Sequence, residues 1–121
     1  MKMLPPQNID AEKSTLGAIL TDQSVMLDVV EVLNPEDFYR ADHSLIYKSM
    51  VRLFTQSKPI DIITVTEELS SSGEIEKAGG ASYIISLTEE VPITSNAVQY
   101  ASIVADKAVQ RRLIKAGGDI A

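Results

Sequence analysis

The sequence predicts an all-α fold, a compact orthogonal helix bundle that continues into one long helix. Apolar residues recur at intervals of three and four along most of the chain, as they do on one face of a helix. Capping residues, prolines and glycines separate these segments. The one β-branched run, residues 62–66, has no second such run to pair with, so a sheet is disfavoured.

The first helix is predicted to begin after Asn8, whose side chain can accept a hydrogen bond from a free backbone amide. Asp10 and Glu12 follow in the first turn, where the helix dipole favours negative charge. The apolar positions with helical spacing are Ile9, Leu16, Ile19 and Leu20. The segment "SVMLDVVEVLN" repeats the pattern with Met26, Val29, Val30 and Leu33. "NPED" then indicates a new start, with Asn34 as the cap and Pro35 in the first turn.

A longer helix is predicted to begin near Asp42, because Ile46, Met50, Leu53 and Phe54 follow at helical intervals. "SKP" ends it, since a residue before proline avoids the α region. The next helix can begin at Asp61, or a few residues later if Thr64 and Glu67 form a capping box. Its face comprises Ile62, Val65 and Leu69, and Gly73 is the predicted stop.

The stretch "EKAGGASYI" poses a choice between a phosphate-binding loop and a turn. The phosphate loop of nucleotide-binding proteins requires a lysine after its last glycine, and here Ala81 follows Gly80. No G-x-G-x-x-G pattern occurs, and no strand precedes the pair. We therefore interpret Gly79 and Gly80 as a turn that leads into a short helix, with Tyr83, Ile84 and Leu87 on its face and "VP", residues 91–92, at its end.

The last segment is predicted to be a helix of about 25 residues, capped by Thr94 or Ser95, with no strong breaker before residues 117–118. It carries a stripe of small residues, extended by an arginine: Ala97, Ala101, Val104, Ala105, Ala108 and Arg112. Two interpretations stay open at this point. The stripe packs on its own domain, or it forms a helical hairpin or an interface between copies.

The remaining side chains give no catalytic or metal constellation. His43 is the only histidine and the chain has no cysteine, so a typical zinc site is not expected. We expect His43 to lie in a first helical turn and to hydrogen-bond locally. The acidic pairs 67–68, 74 with 76, and 89–90 are interpreted as solvated helix ends.

Charge and composition narrow the function further. The net charge is −6, with +3 from residue 107 onward and −9 before it. Because DNA affinity depends on Lys and Arg that neutralise phosphates, the acidic body is a poor DNA surface. A helix-turn-helix around "KAVQRRLIKAGG" is likewise weakly supported. There is no membrane-spanning run or signal peptide, so we expect a cytoplasmic protein.

Five phrases occur in an order that identifies a family: "PPQNIDAEKSTLGAIL", "PEDFYRADHSLIYKSM", "KPIDIITVTEEL", "GGASYIISL" and "NAVQYASIVADKAVQRRLI". Over almost the whole chain they resemble the N-terminal domain of the bacterial DnaB-type replicative DNA helicase. The resemblance implies a globular helical bundle over residues 1–93. Residues 94–121 would then be the first arm of a helical hairpin, and the second arm, the linker and the ATPase domain would lie outside the chain.

The resemblance also implies a function. The domain would be a scaffold in the collar of a hexameric ring built from dimers, and it would dock a DnaG-type primase. ATP and Mg²⁺ are expected only in the separate C-terminal domain, which also makes most of the DNA contacts, so no cofactor or catalytic residue is expected here. The alternatives are a helical DNA-binding module and a small enzyme with a glycine-loop phosphate site.

Overall fold

The computed structural model describes residues 4–89 and 93–120, and throughout these ranges the regular structure is helical. The α-helices are α1 (Ile9–Thr21), α2 (Met26–Val29), α3 (Ala41–Thr55), α4 (Ile62–Ser71), α5 (Gly80–Ser86) and α6 (Ala97–Ile120). Short 3-10 turns lie at Gln23–Val25, Pro35–Asp37 and Thr94–Asn96. The predicted all-α class is confirmed, and the run at residues 62–66 is helix. No helix in the described ranges is long and apolar enough to cross a membrane.

Local capping chemistry sets several of the predicted boundaries. The Asn8 side chain accepts from the amide of Ala11 at 2.9 Å, which confirms the cap of α1. At α4 the cap is Asp61, whose carboxylate accepts from the Thr64 amide at 2.8 Å. Gly73 has φ +74° and lies just past the last turn of α4, where the Glu74 amide donates to the Leu69 carbonyl. This is the left-handed glycine stop that the sequence predicts.

Other boundaries differ from the prediction. "NPED" starts only a three-residue 3-10 turn, in which the Asp37 carboxylate accepts from the Asn34 amide at 2.9 Å. The prediction of a Thr94 or Ser95 cap is wrong, since the cap position of the 3-10 turn before α6 is Ile93. The α5 helix ends at Ser86, and the predicted stop at residues 91–92 lies outside the described ranges.

The core is built around α1, which packs most extensively against α6 and also against α3. The α3 helix in turn packs on α4. The largest fully buried side chains include Leu16, Ile19, Met26, Ile46, Tyr47, Met50, Leu69 and Ile84. The first half of α6 therefore belongs to the same core as the bundle. The predicted division of the chain at residue 93 stays a prediction.

Polar side chains inside the bundle all find partners among the described residues. The hydroxyl of Tyr47 donates to the Leu33 carbonyl at 2.8 Å. Burial raises the pKa of Tyr47 well above its ordinary value, and the nearby charge of Asp37 adds to this rise. At the surface, Arg52 joins α3 to α4 through Glu68 at 2.9 Å. A partly exposed pair of this kind contributes about 0.2–1 kcal/mol.

Candidate functional site

The small-residue stripe of α6 lies inside the bundle. Ala97, Ala101, Val104 and Ala108 are each at most 2% exposed, and Ala105 is partly buried against the same core. Their small side chains let the α6 backbone approach α1 closely. Of the two interpretations left open by the sequence, the structure shows packing within the chain's own domain. These four residues have no surface left to offer to another subunit, so an interface on α6 has to use a different face.

The opposite face of α6 carries four exposed large apolar side chains among the polar residues Gln99, Asp106 and Gln110. Its large hydrophobic residues are between 38 and 67% exposed: Ile103, Val109, Leu113 and Ile114. They fall within one sector of a helix that turns 100° per residue. We call these four residues the outer face of α6. The helical spacing of these four apolar residues already indicates this face in the sequence. The pattern of small residues does not include it.

The C-terminal half of α6 is held to the bundle by two arginines. Arg111 donates to the Pro6 carbonyl at 2.8 Å and to the Asp37 carbonyl at 2.6 Å, and its guanidinium lies 5.5 Å from the centre of the Tyr39 ring. Arg112, predicted to extend the stripe, instead pairs with the Asp37 carboxylate at 3.1 Å. Two of the four cations in this segment are therefore engaged within the chain, which weakens the DNA-binding alternative further.

A buried carboxylate joins α1 to the loop before α3. Glu12 is only 1% exposed, although an acid in the first turn of a helix normally reaches water. Its carboxylate accepts from the backbone amides of Tyr39 at 2.7 Å and Arg40 at 3.4 Å. It also accepts from Nδ1 of His43 at 2.7 Å. Glu12 thus ties three donors together in the core.

His43 continues this network to α5. The ring is fully buried, and its Nε2 lies 2.5 Å from the Tyr83 hydroxyl. A ring that donates from Nδ1 and accepts from Tyr83 at Nε2 satisfies all three groups. His43 does lie in the first turn of α3, as predicted, but the expectation of purely local hydrogen bonding is wrong. Its ring partners come from α1 and α5, which are distant in sequence.

The order tyrosine, histidine and carboxylate is that of a nucleophile, base and orienting acid in hydrolase triads. The environment does not suit that chemistry. Burial raises the pKa of Tyr83, partly opposed by the positive charge of Arg40, so the reactive phenolate is disfavoured. The histidine has no exposed edge where a substrate could approach. We conclude that Glu12, His43 and Tyr83 form a buried hydrogen-bond network with a structural role, which we call the buried tie.

Arg40 and Asp42 cover the outer end of this tie. The guanidinium donates to Asp42 at 2.6 and 3.1 Å and lies 5.4 Å from the centre of the Tyr83 ring. Burial acts to raise the pKa of Asp42, but the hydrogen bonds from Arg40 and the positive charge nearby outweigh it, and the pKa is lowered. Among the described residues no group of three or more potential ligands could hold a metal ion.

The glycine pair is a turn that places Tyr83. Gly79 and Gly80 have φ values of +99° and +83°, in the region that side chains rarely adopt. A Cβ on Gly79 would lie 2.9 Å from Cδ2 of Tyr83, whereas one on Gly80 would meet nothing within 4 Å. The interpretation as a turn is confirmed, and Gly79 has a second role as the point where Tyr83 approaches the backbone.

Alanine substitutions are expected to separate these two roles. Gly80→Ala carries only the backbone cost, about 1 kcal/mol of unfolding free energy. Gly79→Ala adds a clash that displaces the Tyr83 ring from His43, and we expect a loss of about 2–3 kcal/mol. Urea unfolding of the two variants measures the difference. Equal losses would contradict the contact between Gly79 and Tyr83.

A polar cleft lies between α1 and α5. It has a volume of about 310 Å³ and is lined by Asp10, Lys13, Ser14, Ser86, Leu87 and Glu89. The neighbouring Glu90 of the predicted acidic pair lies outside the described ranges. The cleft presents charges of both signs beside one apolar side chain.

Comparisons with known proteins agree with these features. The profile of the family described as DnaB-like helicase N terminal domain matches residues 4–106. Proteins named replicative DNA helicase DnaB from Geobacillus stearothermophilus and replicative DNA helicase DnaC from Bacillus subtilis are each 44% identical over 118 residues. The match covers 98% of this chain but 26% of either relative, so the chain spans about a quarter of their length.

A solved structure shows the same architecture. The crystal structure of the N-terminal domain of DnaB helicase from Mycobacterium tuberculosis superposes with a TM-score of 0.93 at 43% sequence identity. The match covers 97% of this chain and 85% of that one.

Proposed function

Because the chain belongs to the family of DnaB-like helicase N-terminal domains, we propose that it is a scaffold that assembles a replicative helicase and docks a primase. The observation that carries the proposal is the exposed apolar outer face of α6. Several large apolar side chains exposed on one side of a helix are a feature of protein contact surfaces. In this proposal the outer face packs against a helix of a neighbouring copy in a dimer, and dimers build a hexamer.

The scaffold works without chemistry of its own. Its buried tie and arginine contacts hold α1, α5 and α6 in fixed relation, so that surfaces on different helices keep a set geometry. Hydrolysis of ATP with Mg²⁺, and most contacts with DNA, are proposed to belong to the part of the relatives that this chain does not cover. The polar cleft between α1 and α5 is proposed as a contact point for a DnaG-type primase, since its mixed charges suit a polar protein surface.

The assembly is tested by placing charges on the outer face. We expect the chain to self-associate, and the double substitution Leu113→Glu and Ile114→Glu to lower the association constant by at least tenfold, because two charges would be buried. Sedimentation velocity over a concentration series measures the constant. Ser70→Glu with Ser71→Glu adds the same charge at exposed positions of α4, away from the outer face, and serves as the control. Equal association of both variants would exclude the outer face as the contact.

Primase docking is tested separately. The C-terminal domain of a DnaG-type primase is immobilised, and binding of this chain is compared with binding of Lys13→Glu, which changes the cleft without touching the core. Lys48→Glu, an exposed residue on α3, is the matched control. We expect weaker binding for the cleft variant alone. Binding that both variants leave unchanged would exclude the cleft, and no binding by the unmodified chain would exclude docking.

A further inference from the structure

Residues 37–40 contact α6 on one side and the buried tie on the other. We call them the hub segment. The Asp37 carbonyl accepts from Arg111, and the Asp37 carboxylate accepts from Arg112. Two residues later the Tyr39 ring lies beneath the Arg111 guanidinium. A shift of this part of α6 would therefore displace the hub segment.

On its other side the hub segment touches the buried tie. The backbone amides of Tyr39 and Arg40 donate to the carboxylate of Glu12, which also accepts from His43. His43 in turn contacts the Tyr83 hydroxyl in α5. Hydrogen bonds and one cation–π contact thus form an unbroken series from α6 to α5, and its links are polar and aromatic contacts.

The far half of α6 is the part whose position depends on the hub. Up to residue 117, the last α6 position whose exposure the structure describes, Ala108 is the final buried residue, and residues 112–117 are exposed. Beyond Ala108, Arg111 and Arg112 make the side-chain hydrogen bonds that join the described part of α6 to the bundle. Hence the polar contacts of this half with the bundle go to Asp37 and Pro6, and beside them Ile114 lines a cleft with Leu4 and Pro5.

We propose that residues 37–40 couple the docking of the far half of α6 to the position of Tyr83 in α5. A partner that moves the end of α6 loosens the amides of Tyr39 and Arg40 from Glu12. The long Arg40 contact, at 3.4 Å, breaks first, and the His43 ring then loses its fixed orientation toward Tyr83. By linkage, a ligand that fixes Tyr83 stabilises the docked helix to the same extent. This coupling is a property of the fold and does not require the proposed assembly or primase contact.

The test removes the contacts between α6 and the hub segment and then measures whether the buried tie on the other side of that segment changes. Arg111→Gln and Arg112→Gln are compared with Lys115→Gln, which removes the same charge from the same helix. Lys115 makes no hydrogen bond to another described residue. Amide hydrogen exchange is followed at Tyr39 and Arg40, with the Leu69 amide of α4 as the reference. His43 is the only histidine, so its side-chain NMR signals report on the tie without ambiguity.

In both arginine variants we expect exchange at Tyr39 and Arg40 to accelerate about tenfold and the His43 signals to shift. The Leu69 amide and the lysine control should stay unchanged. Unaltered exchange and unaltered His43 signals would overturn the coupling. Uniform acceleration that includes Leu69 would overturn it too, because it would show global destabilisation. Arg112 is more than half exposed, so its variant is expected to fold even if Arg111→Gln does not.

The reciprocal measurement starts from α5. Tyr83→Phe removes the hydroxyl that contacts His43 and leaves the aromatic packing in place. If the coupling exists, the amides of Arg111 and Arg112 exchange faster in this variant, and in Tyr100→Phe they do not. Unchanged exchange in α6 after loss of the Tyr83 hydroxyl would contradict the proposal, since linkage requires the effect in both directions.

Discussion

Replacing Glu12 by alanine is expected to lower the free energy of unfolding by about 3–5 kcal/mol, the range found when one partner of a buried charged network is removed. The substitution leaves the amides of Tyr39 and Arg40 and the Nδ1 proton of His43 without an acceptor in the core. Each orphaned donor retains its desolvation cost while its hydrogen bond is gone. For a domain whose total stability is of order 5–15 kcal/mol, this is a large share.

Urea unfolding followed by circular dichroism measures the loss. Asp10→Ala is the matched control, because Asp10 lies in the same first turn of α1 but is exposed. Only its interaction with the helix dipole is lost, about 0.5 kcal/mol. If Glu12→Ala cost no more than Asp10→Ala, the carboxylate would not be a buried acceptor, and the tie from α1 through His43 to α5 would be refuted.

The sequence indicates that Glu12 is buried, although the helix-dipole argument alone predicts an exposed carboxylate. Glu12 lies three residues after Ile9 and four before Leu16, which places it on the apolar face of α1 and not on the solvated one. A charged residue in an apolar stripe indicates a buried acceptor with partners elsewhere in the fold. Which partners these are cannot be predicted from spacing, because His43 and Tyr83 lie 31 and 71 positions further along the chain.

Features fixed by neighbouring residues are predicted well. The cap at Asn8, the cap at Asp61 and the stop at Gly73 each depend on atoms within a few residues, so the local sequence is sufficient. The left-handed turn at Gly79 belongs to the same group. Its second role, the close approach to Tyr83, was not predicted, since it depends on how the ring is oriented by His43.

Contacts between distant segments are not predicted. Arg111 reaches Asp37 across 74 positions, and the charge of the segment alone suggests a surface for an acidic partner. For the same reason the stripe of α6 leaves two interpretations open. Small residues indicate that a helix packs closely, but the pattern does not say whether the neighbour is α1 of the same chain or a helix of another copy.

Substituting Ala101 by leucine is expected to separate these interpretations by its effect on the folded chain. Ala101 is fully buried where α6 packs against the bundle core, and three additional carbons have no space there. We expect the unfolding free energy to fall by about 3 kcal/mol, at the upper end of the usual cost of overpacking. If the stripe instead faced another copy, the monomer would keep its stability and only self-association would change.

Gln99→Leu is the control for this substitution, because Gln99 is exposed on the same helix and gains a similar apolar side chain. Its effect on unfolding should stay within about 0.5 kcal/mol, as for most surface changes. Chemical denaturation at a low protein concentration separates folding from association. If the Ala101→Leu monomer stayed stable but its sedimentation changed, the stripe would be a contact between copies. If Ala101→Leu loses stability and Gln99→Leu does not, the stripe anchors α6 to α1. The outer face of α6 then remains the surface available to a partner.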